Sequence, residues 1–371
     1  MNPQVMDSDL PNDANGDQSP CFPRTRYQGS KRKLAAAIVK HTKHLAFTSV
    51  LDAFGGTGAV AYAFKRAGKA VTYNDYLAFN HQIGLALIAN NDQRISEGQL
   101  QWLLHRHAEV TYGDIVERVF DGVYFTREEN SWLDMVAANI RRLADPHVRA
   151  LAWYALFQAA MIKRPYNLFH RRNLYMRAAD VSRTFGNKAT WDKPFPDHFL
   201  AFAREGNRAV FFGGHPCHAI HGDALEAPCD FDLVYFDPPY MNARGQSVDY
   251  HHFYHFLEGL VDYDRWSERI DWQSKHRRLA PRSNSWQDRD AILDTFRSLF
   301  DRFSDSMWMV SYRSDGIPGF AELKQLMEET KRDCQIIQLS SNPYALSTND
   351  QSSELLFVAH GEPFCASELD V

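Results

Sequence analysis

Residues 49–67 narrow the fold before anything else does. Ser49-Val50-Leu51-Asp52-Ala53-Phe54 is a short apolar run of the kind buried as a strand. Gly55-Gly56-Thr57-Gly58 allows a tight turn, and Ala59 to Ala67 has the composition and length of the helix that follows it. A strand that passes through a glycine loop into a helix predicts an α/β sheet. Backbone N–H groups at such a helix start can receive an anionic or polar ligand at close range, because no Cβ obstructs it. A second strand, Ala70 to Tyr73, ends at Asn74-Asp75. This sets an acid 17 residues beyond Gly58, close to the ~20-residue spacing at which a carboxylate grips ribose hydroxyls in nucleotide-binding folds.

A later strand carries the other informative corner. Phe231, Leu233, Val234, Tyr235 and Phe236 form an apolar run that ends at Asp237-Pro238-Pro239-Tyr240. A carboxylate, two residues of fixed φ and an aromatic ring make a rigid set of acceptors beside a flat surface, which suits a planar amine. The plainer reading is a proline turn with Asp237 as a local cap and Tyr240 as packing. Ala219 to Gly222 delivers Asp223 in the same way, either to the same cleft or as the cap of a following turn. Gly56-x-Gly58-x-x-Ala61 also fits a dinucleotide fingerprint, but a nicotinamide-linked oxidoreductase leaves Asp237 to Tyr240 unexplained. His215, Cys217, His218 and His221 match no ligand spacing, and no metal site is expected.

Charge is unevenly spread. The chain carries −5 overall, yet Lys163 to Lys193 holds eight Lys/Arg against two Asp. This is +6, which leaves −11 for the rest. Tyr166, Phe169, Tyr175, Phe185 and Trp191 are interleaved, the make-up of a surface that tracks phosphates and stacks on bases. The bland alternative is a solvated loop. Arg265 to Arg289, with Trp266, Trp272 and Trp286, is a candidate second basic face. Five cysteines without a CxxC pair, and a start that lacks a signal-peptide pattern, suggest a reducing cytoplasm. No apolar stretch approaches the ~20 residues of a membrane helix.

Taken in order, Tyr27-Gln28-Gly29-Ser30-Lys31, Phe54-Gly55-Gly56-Thr57-Gly58, Asp75, Gly222-Asp223 and Asp237-Pro238-Pro239-Tyr240 resemble the DPPY-type, Dam-like (D12 class) DNA adenine-N6 methyltransferases over about residues 24 to 360. The resemblance implies a doubly wound class I S-adenosylmethionine-dependent methyltransferase sheet with an inserted, mainly helical target-recognition lobe. The expected layout is a disordered tail at 1–23, a catalytic domain at 24–109 and 206–362, a recognition domain at 110–205, and a tail at 363–371. It implies S-adenosylmethionine as cofactor, held by Tyr27, Lys31, Asp52, Phe54, Gly56, Gly58, Asp75, Asp223 and Asp237. Asp237, Pro238 and Tyr240 are the implied catalytic residues, acting on an adenine flipped out of double-stranded DNA. Lys163, Arg164, Asn167, Arg171, Arg172, Asn173 and Lys188 are the candidate nucleic-acid contacts, in a loop similar but not identical to the family's. A cognate restriction endonuclease is a candidate partner. An RNA adenine methyltransferase and a catalytically idle DNA-binding regulator are the competing functions. Ser would be expected in place of Asp237 in a cytosine-N4 enzyme.

Overall fold

A computed structural model describes residues 20–179, 188–242, 245, 247–331, 333–340 and 353–361. Most of the expected N-terminal tail, the whole C-terminal tail, Arg183, Phe185, much of the polar stretch after Tyr240 and the connection through Asn342-Pro343 lie outside the described residues. Pro23 is buried and the Arg24 N–H donates to Glu205 Oε1 at 2.6 Å, so packed chain begins before residue 24.

The chain divides into two compact units. The first to be considered comprises residues 28–91, 212–251 and 281–371. Its strands are β1 (Ser49–Asp52), β2 (Ala70–Asp75), β3 (His218–His221), β4 (Leu233–Phe236), β5 (Met241–Asn242), β6 (Met307–Arg313), β7 (Gly316–Ile317), β8 (Asp333–Ser340) and β9 (Glu354–His360). Seven of them form one sheet in the order β3-β2-β1-β4-β6-β9-β8, while β5 and β7 pair separately. The first five strands of that order are parallel, and β9 runs antiparallel between β6 and β8, the terminal strand pair that the runs Gln335 to Leu339 and Glu354 to Ala359 predict from sequence. All four residues of β4 are buried, as a central parallel strand with both faces covered requires. The sheet is the doubly wound methyltransferase type that the sequence reading expects.

The chain steps outward from β1 to β2 and later to β3, then returns on the opposite side as β4. Strand order therefore reverses between β1 and β4. In open α/β sheets ligands bind outside the carboxyl ends of the strands at such a reversal. Both sequence corners, the glycine loop after Asp52 and Asp237 after Phe236, emerge there.

The second unit comprises residues up to Tyr27, 92–211 and 252–280, and is mainly helical. Helix Arg127–Arg141 starts with a reciprocal Thr126/Glu129 capping box. Helix Pro146–Ile162 is capped by Asp145, has proline in its first turn and is buried almost all round, with helix Phe195–Ala209 packed on it. These boundaries are wider than the expected 110–205. Helix Glu97–Leu103 packs on Arg127–Arg141, and the distant Phe256 and Trp266 join Phe120, Tyr124 and Phe169 in one aromatic core. A contiguous reading cannot see that return. Trp266 is fully buried and Trp286 nearly so, leaving Trp272 as the exposed indole of the supposed second basic face.

In the sheet-bearing unit, the Tyr73 ring fills the space under the glycine loop, and its hydroxyl donates to the Gly56 carbonyl at 2.7 Å. A Cβ at Gly55 would lie 2.0 Å from that ring. Gly55→Ala is therefore expected to lower stability by roughly 1–3 kcal/mol through overpacking, read as a lower urea midpoint.

Candidate active site

Asp237 lies half-buried just past β4, inside a polar cluster drawn from three distant parts of the chain. Lys31 Nζ is 2.9 Å from Asp237 Oδ1 and 3.1 Å from Glu354 Oε1, and donates to the Tyr240 hydroxyl at 2.6 Å. That hydroxyl donates to Asp237 Oδ1 at 2.5 Å and stands 3.1 Å from Glu354 Oε1. Ser311 Oγ donates to the same Glu354 oxygen at 2.6 Å. Both contacts on Asp237 fall on Oδ1, which fixes the carboxylate and leaves Oδ2 without a partner among the described residues. Burial pushes the Asp237 pKa above its ordinary value; Lys31 pulls it down and Glu354 pushes it up.

The Tyr240 hydroxyl is thus held by three groups. The ring meets Tyr312 edge-on at 5.5 Å, with Lys31 Nζ 4.9 Å from its centroid. Lys31, expected to close over a cofactor, is buried against Asp237 instead. Glu354 escaped the sequence reading. Its only signal is an acid opening a strand that is buried throughout.

The glycine loop is tied down by acids. Gly56 and Gly58 take left-handed backbone, with φ of 50° and 75°, which favours glycine at both. Asp75 Oδ2 accepts from the Gly56 N–H at 2.8 Å and from Asn80 Nδ2 at 3.0 Å, and its Oδ1 accepts from the Leu77 N–H at 2.9 Å. Burial still lifts its pKa to about 6. Asp52 is buried with Oδ2 accepting from the Ala61 N–H at 3.2 Å, and burial with the neighbouring Asp237 charge raises it to about 8. Phe54 meets Trp286 edge-on at 5.0 Å. Ser30 Oγ sits 3.1 Å from Thr57 Oγ1. Asp223 is exposed and caps its own turn, accepting from the Leu225 N–H at 3.0 Å. Tyr27 belongs to the helical unit, where its ring stacks on Tyr254 at 4.6 Å.

The candidate nucleic-acid residues separate by burial. Lys163 is buried and donates to the Trp191 and Lys193 carbonyls at 2.7 and 2.6 Å, with Glu129 Oε1 at 2.9 Å. Arg164 is buried and donates to the Leu168 and Arg171 carbonyls, its guanidinium 4.2 Å from the Tyr124 ring centroid. Burial lowers its pKa to about 9. Asn173 is also buried. These three are corrected from surface contacts to interior supports, since each is withdrawn from solvent. Phe169 and Trp191 are core for the same reason. Arg171, Arg172 and Lys188 are exposed, Asn167 is half-buried, and Tyr166 and Tyr175 expose much of their rings. Tyr166 and Asn167 hold φ of 65° and 57°, an uncommon backbone for side-chain-bearing residues.

Arg164→Ala should lower stability by roughly 2–4 kcal/mol, because it strands buried carbonyls and leaves a cavity, whereas Arg171→Ala should stay within about 0.5 kcal/mol. Denaturant midpoints of the two variants check this.

The family model for D12 class N6 adenine-specific DNA methyltransferases matches residues 27–265. The chain is 26% identical over 352 residues to the type II methyltransferase M2.HphI of Haemophilus parahaemolyticus, covering 92% of this chain and 98% of that protein. It is 20% identical over 317 residues to the type II methyltransferase M.NlaIII of Neisseria lactamica, covering 81% and 87%. Over 362 residues it is 23% identical to the type II methyltransferase M.FokI of Planomicrobium okeanokoites, covering 89% of this chain and 51% of that protein.

Proposed function

Because the chain belongs to the D12 class of N6 adenine-specific DNA methyltransferases, we propose that it takes its methyl group from S-adenosylmethionine and seats the target adenine against Asp237, Pro238 and Tyr240. Site-specific methylation of adenine N6 in DNA is its reaction. The observation that carries the assignment of residues is the Asp237 carboxylate, fixed through one oxygen by Lys31 and Tyr240 at the carboxyl end of β4.

The crevice fits the proposed cofactor. A Cβ placed on Gly222 would meet nothing within 4 Å, so space is open beside Asp223. Asp52 Oδ1 and Asn74 Oδ1 are buried without hydrogen-bond partners among the described residues, and such polar atoms suit a ligand bearing hydroxyl and amine groups. Phe54, Gly56 and Gly58 would form the floor and Asp75 the ribose contact, with Asp223 near the methyl donor. S-adenosylmethionine supplies an electrophilic methyl group on a sulfonium.

The chain's own residues do the rest. Adenine N6 is a poor nucleophile because its lone pair is delocalised into the ring. In this reading Asp237 Oδ2 and the Pro238 carbonyl accept its two N–H bonds, which draws the nitrogen toward tetrahedral geometry and aims the lone pair. Asp237 stabilises the positive charge that develops on N6 and takes the departing proton. Tyr240 offers a ring for the flipped base to stack on and a hydroxyl that holds Asp237. Arg171 and Arg172 are proposed phosphate contacts. The similarity to type II methyltransferases fits a cognate restriction endonuclease as partner, and a cytoplasmic location belongs to the same proposal. Among the described residues no helix is long and apolar enough to cross a membrane.

Purified chain with S-adenosylmethionine and duplex DNA should yield N6-methyladenine by nucleoside mass spectrometry; N4-methylcytosine alone, or product confined to RNA, would overturn the reading. Asp237→Ala should lower turnover by roughly 10²–10⁴ while sparing DNA affinity, and Tyr240→Phe should fall between it and wild type. Replacing Arg171 and Arg172 together by Ala should weaken DNA binding and reduce the slope of log K against log salt by up to about 2, measured by fluorescence anisotropy.

A further inference from the structure

From the geometry around Lys31 we infer that Glu354 is a positioning residue for methyl transfer: its carboxylate holds the Lys31 ammonium and so leaves Asp237 basic enough to act on N6. The inference rests on the reading of Asp237 as the group that receives adenine N6. It goes further by giving a task to a buried acid in the last strand.

A lysine beside a catalytic carboxylate creates a conflict. The ammonium at 2.9 Å fixes Asp237, but an unopposed cation there would also lower the basicity that charge stabilisation and proton acceptance need. Glu354 resolves it by sharing the same ammonium at 3.1 Å. The same oxygen of Glu354 also lies 3.1 Å from the Tyr240 hydroxyl and accepts from Ser311 Oγ at 2.6 Å, so its position is fixed from three sides. Oε2 is buried with no hydrogen-bond partner. A prop would do better as a neutral amide or an apolar side chain, because a buried charge with an unpartnered oxygen carries a desolvation penalty. The charge itself is therefore the useful property.

The groups that face Asp237 come from each neighbouring element. Lys31 precedes helix Ala35–Lys40, Asp52 ends β1, Tyr235 lies in β4, Tyr240 follows the proline corner and Glu354 opens β9. Burial lifts Asp52 to about 8 and keeps the Tyr235 phenol neutral. The carboxylates that meet the Lys31 ammonium in this cluster are Asp237 at 2.9 Å and Glu354 at 3.1 Å.

The test is the pH profile of turnover under saturating DNA and S-adenosylmethionine, with wild type and Asp237→Ala as references. In Glu354→Gln the acid limb should move to lower pH and turnover should fall roughly ten- to a hundredfold, with KM values within about threefold of wild type. Lys31→Met should move the limb the other way, to higher pH, because the cation is gone. Glu354→Asp keeps the charge and should restore the limb toward its wild-type position. A folded Glu354→Gln with an unmoved limb overturns the inference even if its turnover falls, because a mere prop would do that. Lys31→Met and Glu354→Gln moving the limb in the same direction overturns it too. Should Glu354→Gln fail to fold, Lys31→Met decides: a limb that does not rise sinks the proposal. Turnover surviving in Asp237→Ala would sink the parent reading and this one with it, whereas an inert Asp237→Ala with an unmoved limb in Glu354→Gln sinks this inference alone.

Discussion

Lys31 is the interaction on which the catalytic crevice depends. Asp52, Asp75, Asp237 and Glu354 all lie in the sheet-bearing unit, and ionised carboxylates held out of water are unstable without partners. The chain meets that constraint in three ways. Asp52 is raised to about 8, so it is largely protonated at neutral pH. Asp75 is surrounded by two backbone N–H groups and an amide. Asp237 and Glu354 share one ammonium. Only the last arrangement leaves one carboxylate oxygen, Asp237 Oδ2, free of partners among the described residues, since both Asp75 oxygens already accept hydrogen bonds and burial favours the protonated form of Asp52.

The helical unit answers the same constraint with the signs exchanged. Glu129 gathers two cations there. It closes a helix start through Thr126 and also accepts from Arg177 at 2.7 and 2.8 Å and from Lys163 at 2.9 Å. Arg164 has no carboxylate partner and is satisfied by carbonyls and by the Tyr124 and Phe169 rings. Guanidinium suits that position because it is planar and weakly hydrated, so it can stack and donate in a fork where an ammonium would remain poorly solvated. Its carbonyl contacts at Leu168 and Arg171 brace the loop whose Tyr166 and Asn167 take left-handed backbone.

Local chemistry in the sequence made the sheet legible. The glycine loop, the apolar run into Asp237 and the terminal strand pair were all readable because strand ends and turns are written in a few adjacent residues. Lys31 and Tyr240 stand out in the sequence too, but the contacts that join them do not. A hydroxyl's partners lie across the fold, and no neighbour in sequence announces them. Glu354 is the limiting case. It lies 117 residues from Asp237, and its meaning comes wholly from β9 lying beside β6, where Ser311 reaches it. Aromatic residues misled for a related reason: Trp266, Trp286, Phe169 and Trp191 have the composition of a stacking surface, yet a large core recruits the same residue types.

Burial also changes what the basic segment can contribute to DNA binding. Counted in sequence, Lys163 to Lys193 suggests eight phosphate-seeking cations. Lys163, Arg164 and Arg177 are buried and paired with groups of their own unit. Lys188 lies 3.1 Å from Asp192. Among the described residues of the segment, Arg171, Arg172 and Lys193 remain as exposed cations outside the ion pairs described. Since the salt dependence of affinity grows by about 0.9 per neutralised phosphate, the described residues of this segment can supply less than half of the dependence that eight cations imply. Tyr166, on the braced loop of unusual backbone, and Tyr175, in helix Leu174–Ala178, expose much of their rings and add stacking surface to those cations. Lys163, Arg164 and Arg177 build the interior of this lobe, while Arg171, Arg172, Lys193 and the two tyrosine rings lie at its surface.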